Sequence, residues 1–215
     1  MEEKVKILIV DDHKIFAEGI IRLLKSRSDY DVIGHVQNES ELYQKISINK
    51  PDVIIMDIGL QRKDGIEISR KLLKEMPSIK ILILSMHSSY SYISRSLEAG
   101  VSGYILKDSC YYELCHAIDS ILQDKTFLSE QIASVYHKTQ QHELNFKIEN
   151  LTQLEKKILK LTVEEKSPKE ISLILNLSQK EVINKKLEMM NKLGVESDIK
   201  LVKFALKSGF AKLEE

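Results

Sequence analysis

Five short apolar runs punctuate the first half of the chain: VKILIV (5–10), DVIGHV (31–36), DVIIMD (52–57), IKILILS (79–85) and SGYIL (102–106). Between them, over 14–27, 38–48, 65–75 and 88–99, apolar residues fall at helical spacing, and a fifth such stretch follows near 109–124. A run that is apolar at successive positions buries both of its faces. Strands of that kind joined by helices form a parallel sheet covered on both sides. Five strand–helix units predict a small doubly wound fold. Pro51 and Pro77 precede the third and fourth runs, and Gly100 stands where a helix end calls for a left-handed residue.

Residues 125–149 contain no Gly or Pro; Ser129 is placed to cap a helix through about Tyr136, and the polar HKTQQHELN that follows predicts a linker. From Leu151 the strand-like runs cease. LTQLEKKILKLTVEE places apolar residues at 151, 154, 158 and 161, with Thr152 and Glu155 spaced as a capping box. SPKEISLIL is a short helix with Pro168 in its first turn; LSQKEVINKKLEMMNKLGV is a longer one, capped by Ser178 and closed by Gly194; SDIKLVKFALKSG is a fourth. A short helix, a tight turn and a longer helix follow helix-turn-helix grammar. The expected architecture is α/β plus all-α. Residues 1–125 form a doubly wound domain with a five-stranded parallel sheet, 126–149 a helix and linker, and 150–215 a four-helix domain.

Length and charge alter this picture little. A chain of 215 residues suits two compact domains. Its 32 basic and 32 acidic side chains divide into a net −3 over residues 1–149 and +3 over the remainder, an asymmetry that permits a nucleic-acid role for the second part without demanding one. Cys110 and Cys115 lie five apart in one predicted helix, which suits neither a disulfide framework nor a zinc site. The longest apolar runs are strand-sized and the amino terminus shows no signal-peptide pattern, so a cytoplasmic protein without a membrane segment is expected.

The chemistry concentrates at strand ends. Asp11 and Asp12 end the first strand, Asp57 the third and Ser85 the fourth, and Lys107 follows the fifth. A doubly wound sheet binds its ligands beyond the carboxyl ends of its strands, so these five groups converge on one edge. Three carboxylates meeting there repel one another unless a cation sits among them, and hard oxygen donors suit Mg2+. A lysine and a hydroxyl beside them are what a phosphoryl group on a carboxylate requires. One Asp at a strand end is commonly a helix cap; five such groups in this order are not.

These residues, with "DG" at 64–65 and GYILKD at 103–108, resemble the receiver domain of bacterial two-component response regulators over residues 4 to about 124. The resemblance implies that Asp57 is the phosphoacceptor, supplied by a sensor histidine kinase. It implies that Asp12, Asp57 and the Gly59 carbonyl hold Mg2+ directly, with Asp11 acting through water. It further implies that Ser85 and Lys107 grip the phosphoryl oxygens, that Tyr104 swings inward when Ser85 moves, and that Gly59 and His87 occupy positions that tune dephosphorylation. Gln61 stands where the family often has proline, and Ser85 where threonine is commoner.

LTQLEKKIL, SPKEISLILNLS and KLGV resemble the LuxR-type helix-turn-helix output domain, with residues 180–193 as the recognition helix. Duplex DNA is then the expected partner, bound by a homodimer formed on phosphorylation, with Lys180, Asn184, Lys185, Lys186 and Lys192, plus Lys169 on the preceding helix, as candidate contacts. The equipment departs from the family. Glu181 is expected to face phosphates, Lys186 falls at a customary core position, and residues 150–215 contain no arginine. Ile183, Leu187 and Met190 at helical spacing open an alternative, an exposed apolar stripe for a protein partner or a dimer. No nucleophile–base pair or metal triad appears elsewhere, so a stand-alone enzyme is not expected.

Overall fold

The structure is a computed structural model describing residues 4–60 and 63–211; Gln61 lies outside the described residues. The chain divides into two compact units, residues 1–136 and 137–215.

The first unit alternates β1 (Val5–Val10), α1 (Lys14–Leu24), β2 (Tyr30–Val36), α2 (Glu39–Ile48), β3 (Val53–Met56), a small ladder of β4 (Gly59–Leu60) and β5 (Lys63–Asp64), α3 (Gly65–Glu75), β6 (Lys80–Ser85), α4 (Tyr90–Glu98), β7 (Gly103–Leu106), α5 (Tyr111–Leu122) and β8 (Phe127–Leu128). The main sheet runs β2-β1-β3-β6-β7-β8 with every neighbouring pair parallel. The five expected strands are all present. The two-residue β8 is an addition, too short to leave a periodic signal in the sequence.

Period-two alternation splits the core cleanly. Leu8, Val10, Ile54, Met56, Ile81 and Ile83 point to the side covered by α2, α3 and α4, where Leu42, Ile66 and Ile93 meet them. Ile7, Ile9, Val53, Ile55, Leu82 and Leu84 point to the other side, against Ala17, Leu24, Leu114, Ile118 and Ile121 of α1 and α5.

The expected linker is helical: α6 runs Glu130–Glu149 without a break. With no Gly or Pro to interrupt them, its polar residues continue the helix, and Leu144 and Ile148 supply apolar contacts to the second unit's core. That unit contains α7 (Gln153–Val163), α8 (Pro168–Leu175), α9 (Gln179–Leu193) and α10 (Asp198–Lys207). Thr152, Ser167 and Ser178 each form a full capping box, with Glu155, Glu170 and Glu181 respectively. Ile158, Leu159, Ile171, Val182, Met189 and Leu201 pack at the centre, and Gly194 closes α9 in the left-handed region at φ +73°.

Candidate functional site

Asp11, Asp57 and Lys107 sit one position beyond the paired strands β1, β3 and β7, Ser85 is the last paired residue of β6, and extensions of the ladder hold the first three in place. Asp11 N–H donates to the Val36 carbonyl at 3.1 Å, Asp57 N–H to Val10 at 2.9 Å and Lys107 N–H to Ser85 at 2.9 Å. Their side chains therefore emerge at one edge with a geometry set by the sheet. Gly65 permits this. A Cβ built there would lie 2.0 Å from the Asp57 carbonyl oxygen, so α3 can begin beside the Asp57 loop only without a side chain.

Asp11, Asp57 and Lys107 are nearly inaccessible to solvent, and Lys107 Nζ lies 2.8 Å from Asp11 Oδ2 and 3.0 Å from Asp57 Oδ2. The ammonium also rests 4.8 Å from the centre of the Phe16 ring, a cation–π contact that sequence reasoning missed. It missed His13 as well. The backbone N–H of His13 donates to Asp11 Oδ1 at 2.8 Å, and its Nδ1 stands 3.2 Å from the same oxygen and 2.9 Å from Asp12 Oδ1. The only signal for it was adjacency to the Asp pair. His35 Nε2 meets the Asp11 carbonyl at 2.7 Å.

Ligand atoms of Asp11, Asp12, His13 and Asp57 all fall within 4.8 Å of one another. Asp12 Oδ1 is buried without a hydrogen-bond partner, the nearby His13 ring lying out of line with it. Three carboxylates against one lysine leave the cluster anionic, and an unbonded buried oxygen in it fits a hard divalent cation. The Gly59 backbone is adjacent, a Cβ at that position falling 3.7 Å from Asp57 Oδ2.

Ser85 is buried, and its Oγ accepts from His87 N–H at 3.1 Å. Tyr104 already occupies the inward position. Its ring is fully buried and its hydroxyl donates to the His87 carbonyl at 2.6 Å. Burial pushes this phenol up to about 12, the Ser85 hydroxyl pulling the other way. The His87 ring stacks on Tyr92 at 4.3 Å. Ser85, His87 and Tyr104 thus form one connected unit, so displacing the serine hydroxyl disturbs the tyrosine's anchor.

In the second unit the candidate contacts divide. Lys169, Lys180 and Asn184 are exposed, and neither Lys169 nor Lys180 forms an ion pair with a described residue. Lys185 pairs with Glu188 at 2.7 Å and Lys186 with Asp198 at 2.6 Å. The Lys186 side chain is only 13% exposed, which reconciles a charge with a customary core position. Lys192 reaches 2.6 Å to Glu155, a carboxylate only 2% exposed, and so serves the domain's own interior. Glu181 is exposed, as expected, but its carboxylate is engaged at its own helix end. It folds back onto Ser178, whose hydroxyl and then backbone N–H, the latter donating at 2.8 Å, hold the carboxyl below the ordinary carboxylate range. Ile183 and Leu187 are exposed, but Met190 is buried among core residues and leaves the expected stripe.

Comparison with known proteins agrees with this layout. Residues 7–119 match the response regulator receiver domain family, and residues 149–205 match the bacterial regulatory proteins of the luxR family. The chain is 28% identical to the transcriptional regulatory protein DegU of Brevibacillus brevis, covering 99% of this chain and 97% of that protein. It is 31% identical to the oxygen regulatory protein NreC of Staphylococcus haemolyticus, covering 94% and 97%. It also resembles the structure of RcsB from Salmonella enterica serovar Typhimurium bound to promoter P1flhDC in the presence of the phosphomimetic BeF3−, at TM-score 0.59 and 26% identity over 96% of this chain and all of that one. A receiver followed by a luxR-type domain, matched nearly end to end by such relatives, places the chain in the LuxR family of two-component response regulators.

Proposed function

We propose that Asp57 accepts a phosphoryl group from a phosphohistidine of a sensor kinase and that this event controls binding of the second unit to duplex DNA. The observation that carries the reading is the Lys107 ammonium set between Asp11 and Asp57, at 2.8 and 3.0 Å, inside a buried and still anionic cluster. In the transfer, a carboxylate oxygen of Asp57 bonds to phosphorus as the P–N bond breaks, and the imidazole nitrogen keeps the electron pair. On this reading Lys107 neutralises the phosphoryl oxygens and the Ser85 hydroxyl donates to them. Asp11, Asp12, Asp57 and the Gly59 carbonyl would hold Mg2+, which supplies charge neutralisation for the transferring group. The chain is on this reading a phosphoryl-accepting regulator rather than an enzyme with a diffusible substrate. It acts in the cytoplasm, where its kinase and DNA are found.

Rearrangement of the Ser85–His87–Tyr104 unit then alters the face formed by α4 and β7, and the phosphorylated chain pairs into a homodimer on DNA. On this reading Lys169, Lys180 and Asn184 make the contacts; the similar chain solved on promoter DNA supports duplex DNA as the partner. The test is incubation of the full chain with acetyl phosphate and Mg2+, followed by intact-protein mass spectrometry. The wild type should gain one phosphoryl mass. Asp57→Asn should gain none, and Lys107→Ala should fall at least about tenfold, the loss of one charge-stabilising contact. Undiminished uptake by Asp57→Asn would overturn the assignment.

A further inference from the structure

Lys180, Ile183, Asn184 and Leu187 recur at intervals of three, one and three, so they share one stripe of α9, while Val182, Met189, Met190 and Leu193 turn into the core. Ile183 is 46% and Leu187 52% exposed. Single exposed aliphatic residues are ordinary. Here two of them flank the Asn184 carboxamide on the outward side of the second helix of a helix-turn-helix, the side such a fold offers to a major groove.

The charged groups around the stripe already have partners within the domain. Glu181 is turned back onto Ser178, Lys185 is tied to Glu188 and Lys186 to Asp198. Among the described residues of the stripe, Lys180 is the one cation without an ion pair, and residues 150–215 contain no arginine to fork onto guanine. What remains for base reading is one carboxamide and two branched apolar side chains. In the major groove an adenine edge presents the donor–acceptor pair that an Asn carboxamide matches, and thymine presents the only methyl group.

We infer that this stripe reads A·T pairs, Asn184 on an adenine and Ile183 and Leu187 against thymine methyl groups, with Lys180 on a phosphate. The inference rests on the DNA reading proposed above and names the bases that reading leaves open. The guanidinium fork that most often reads guanine is absent from this unit, and the Lys180 ammonium, assigned here to a phosphate, is the guanine donor whose use the recovered sites would reveal.

The test selects duplexes from a random pool with the full chain in beryllofluoride and Mg2+, then replaces each thymine of the recovered site by deoxyuridine, which removes one methyl and nothing else. Recovered sites should share an A·T core. Uridine at the contacted positions should weaken binding about fourfold each, the worth of one buried methyl. Ile183→Ala and Leu187→Ala should each bind the thymine and uridine duplexes equally at one position, and Asn184→Ala should lose its adenine preference at another. All three positions are exposed, and unchanged melting of the variants would confirm intact folds. Salt-sensitive retention of duplexes that are G·C-rich or indifferent to uridine would overturn the inference and leave the DNA reading standing. Failure to retain any duplex at low salt would overturn both and assign the apolar stripe to a protein partner.

Discussion

The two functional regions handle charge in opposite ways. At the receiver edge, Asp11, Asp57 and the Lys107 side chain are buried and, with the half-buried Asp12, crowded and left with a net negative charge. On the outward face of α9, Lys185 and Lys186 are tied to Glu188 and Asp198, and the side chains left free are one cation, Lys180, one carboxamide and two aliphatic groups. Buried, uncompensated charge is costly and survives where chemistry needs it. A face that must dock on many duplexes before finding one can be electrostatically mild and keep its discrimination in shape and methyl contacts. One site is therefore intolerant of small displacements, and the other should tolerate truncation with graded losses.

The largest expected effect tests that intolerance. Gly65→Ala puts a methyl 2.0 Å from the Asp57 carbonyl, so the phosphoacceptor loop must move. The cost is about 3 kcal/mol of stability from overpacking, and phosphoryl uptake should slow on the order of 100-fold, since a shift of about 1 Å is enough for that. Gly19 in α1 is the control, because a Cβ there meets nothing within 4 Å. Gly19→Ala should leave uptake unchanged and raise stability by about 0.5–1 kcal/mol. Urea unfolding and acetyl-phosphate labelling of both variants decide the matter; equal uptake by the two would remove the special status of the edge.

The receiver edge was legible because topology, not local detail, brings its parts together. Once five buried strands are recognised, their carboxyl ends share an edge, and Asp11, Asp12, Asp57, Ser85 and Lys107 have nowhere else to go. The contributions of His13 and Phe16 depend on side-chain direction, which period-two and helical patterns do not carry to the ångström. The same limit explains the second unit. Met190 joined the apparent stripe because it lies three residues after Leu187, yet it sits on the margin of that stripe nearest Val182, Met189 and Leu193 and is buried with them. Lys192 and Glu155 are 37 residues apart, and no periodicity announces their bond. The helical course of residues 137–149 was hidden by polar composition, which describes a solvated helix as well as a linker.

That hidden bond yields the next prediction. Burial opposes charge on Glu155, but hydrogen bonds from Lys192 and from Thr152 outweigh it and hold the carboxyl below its ordinary 4.5. A folded-state value below the unfolded one contributes stability that is present above pH 4.5 and is lost as pH falls through the folded value. Protection of the α7 and α9 amides, taken relative to intrinsic exchange at each pH, should therefore fall below that pH, and Glu155→Gln should flatten the dependence. Lys192→Met at neutral pH should cost about 1–3 kcal/mol by leaving the carboxylate short of a partner. If exchange is as slow in Lys192→Met as in the wild type, Lys192 belongs with the DNA contacts after all.

The smallest effects draw the finest line across the α9 face, between lysines that are free for phosphate and lysines already committed. A lysine that neutralises one phosphate releases about one condensed counterion, so its removal lowers the slope of log affinity against log salt by about 0.9. Lys180→Ala should show that change and weaken specific and non-specific duplexes alike, because a phosphate contact carries no base information. Lys186 is already neutralised by Asp198 at 2.6 Å and is mostly enclosed, so Lys186→Met should keep both the fold and the wild-type slope. Fluorescence anisotropy on one labelled duplex across a salt series measures both. A full unit of slope lost with Lys186 would mean that its ion pair opens on DNA and that the neutrality of the face belongs to the unbound protein alone; an unchanged slope leaves Lys180 and Lys169 as the electrostatic anchors and the aliphatic stripe between the phosphates as the reader.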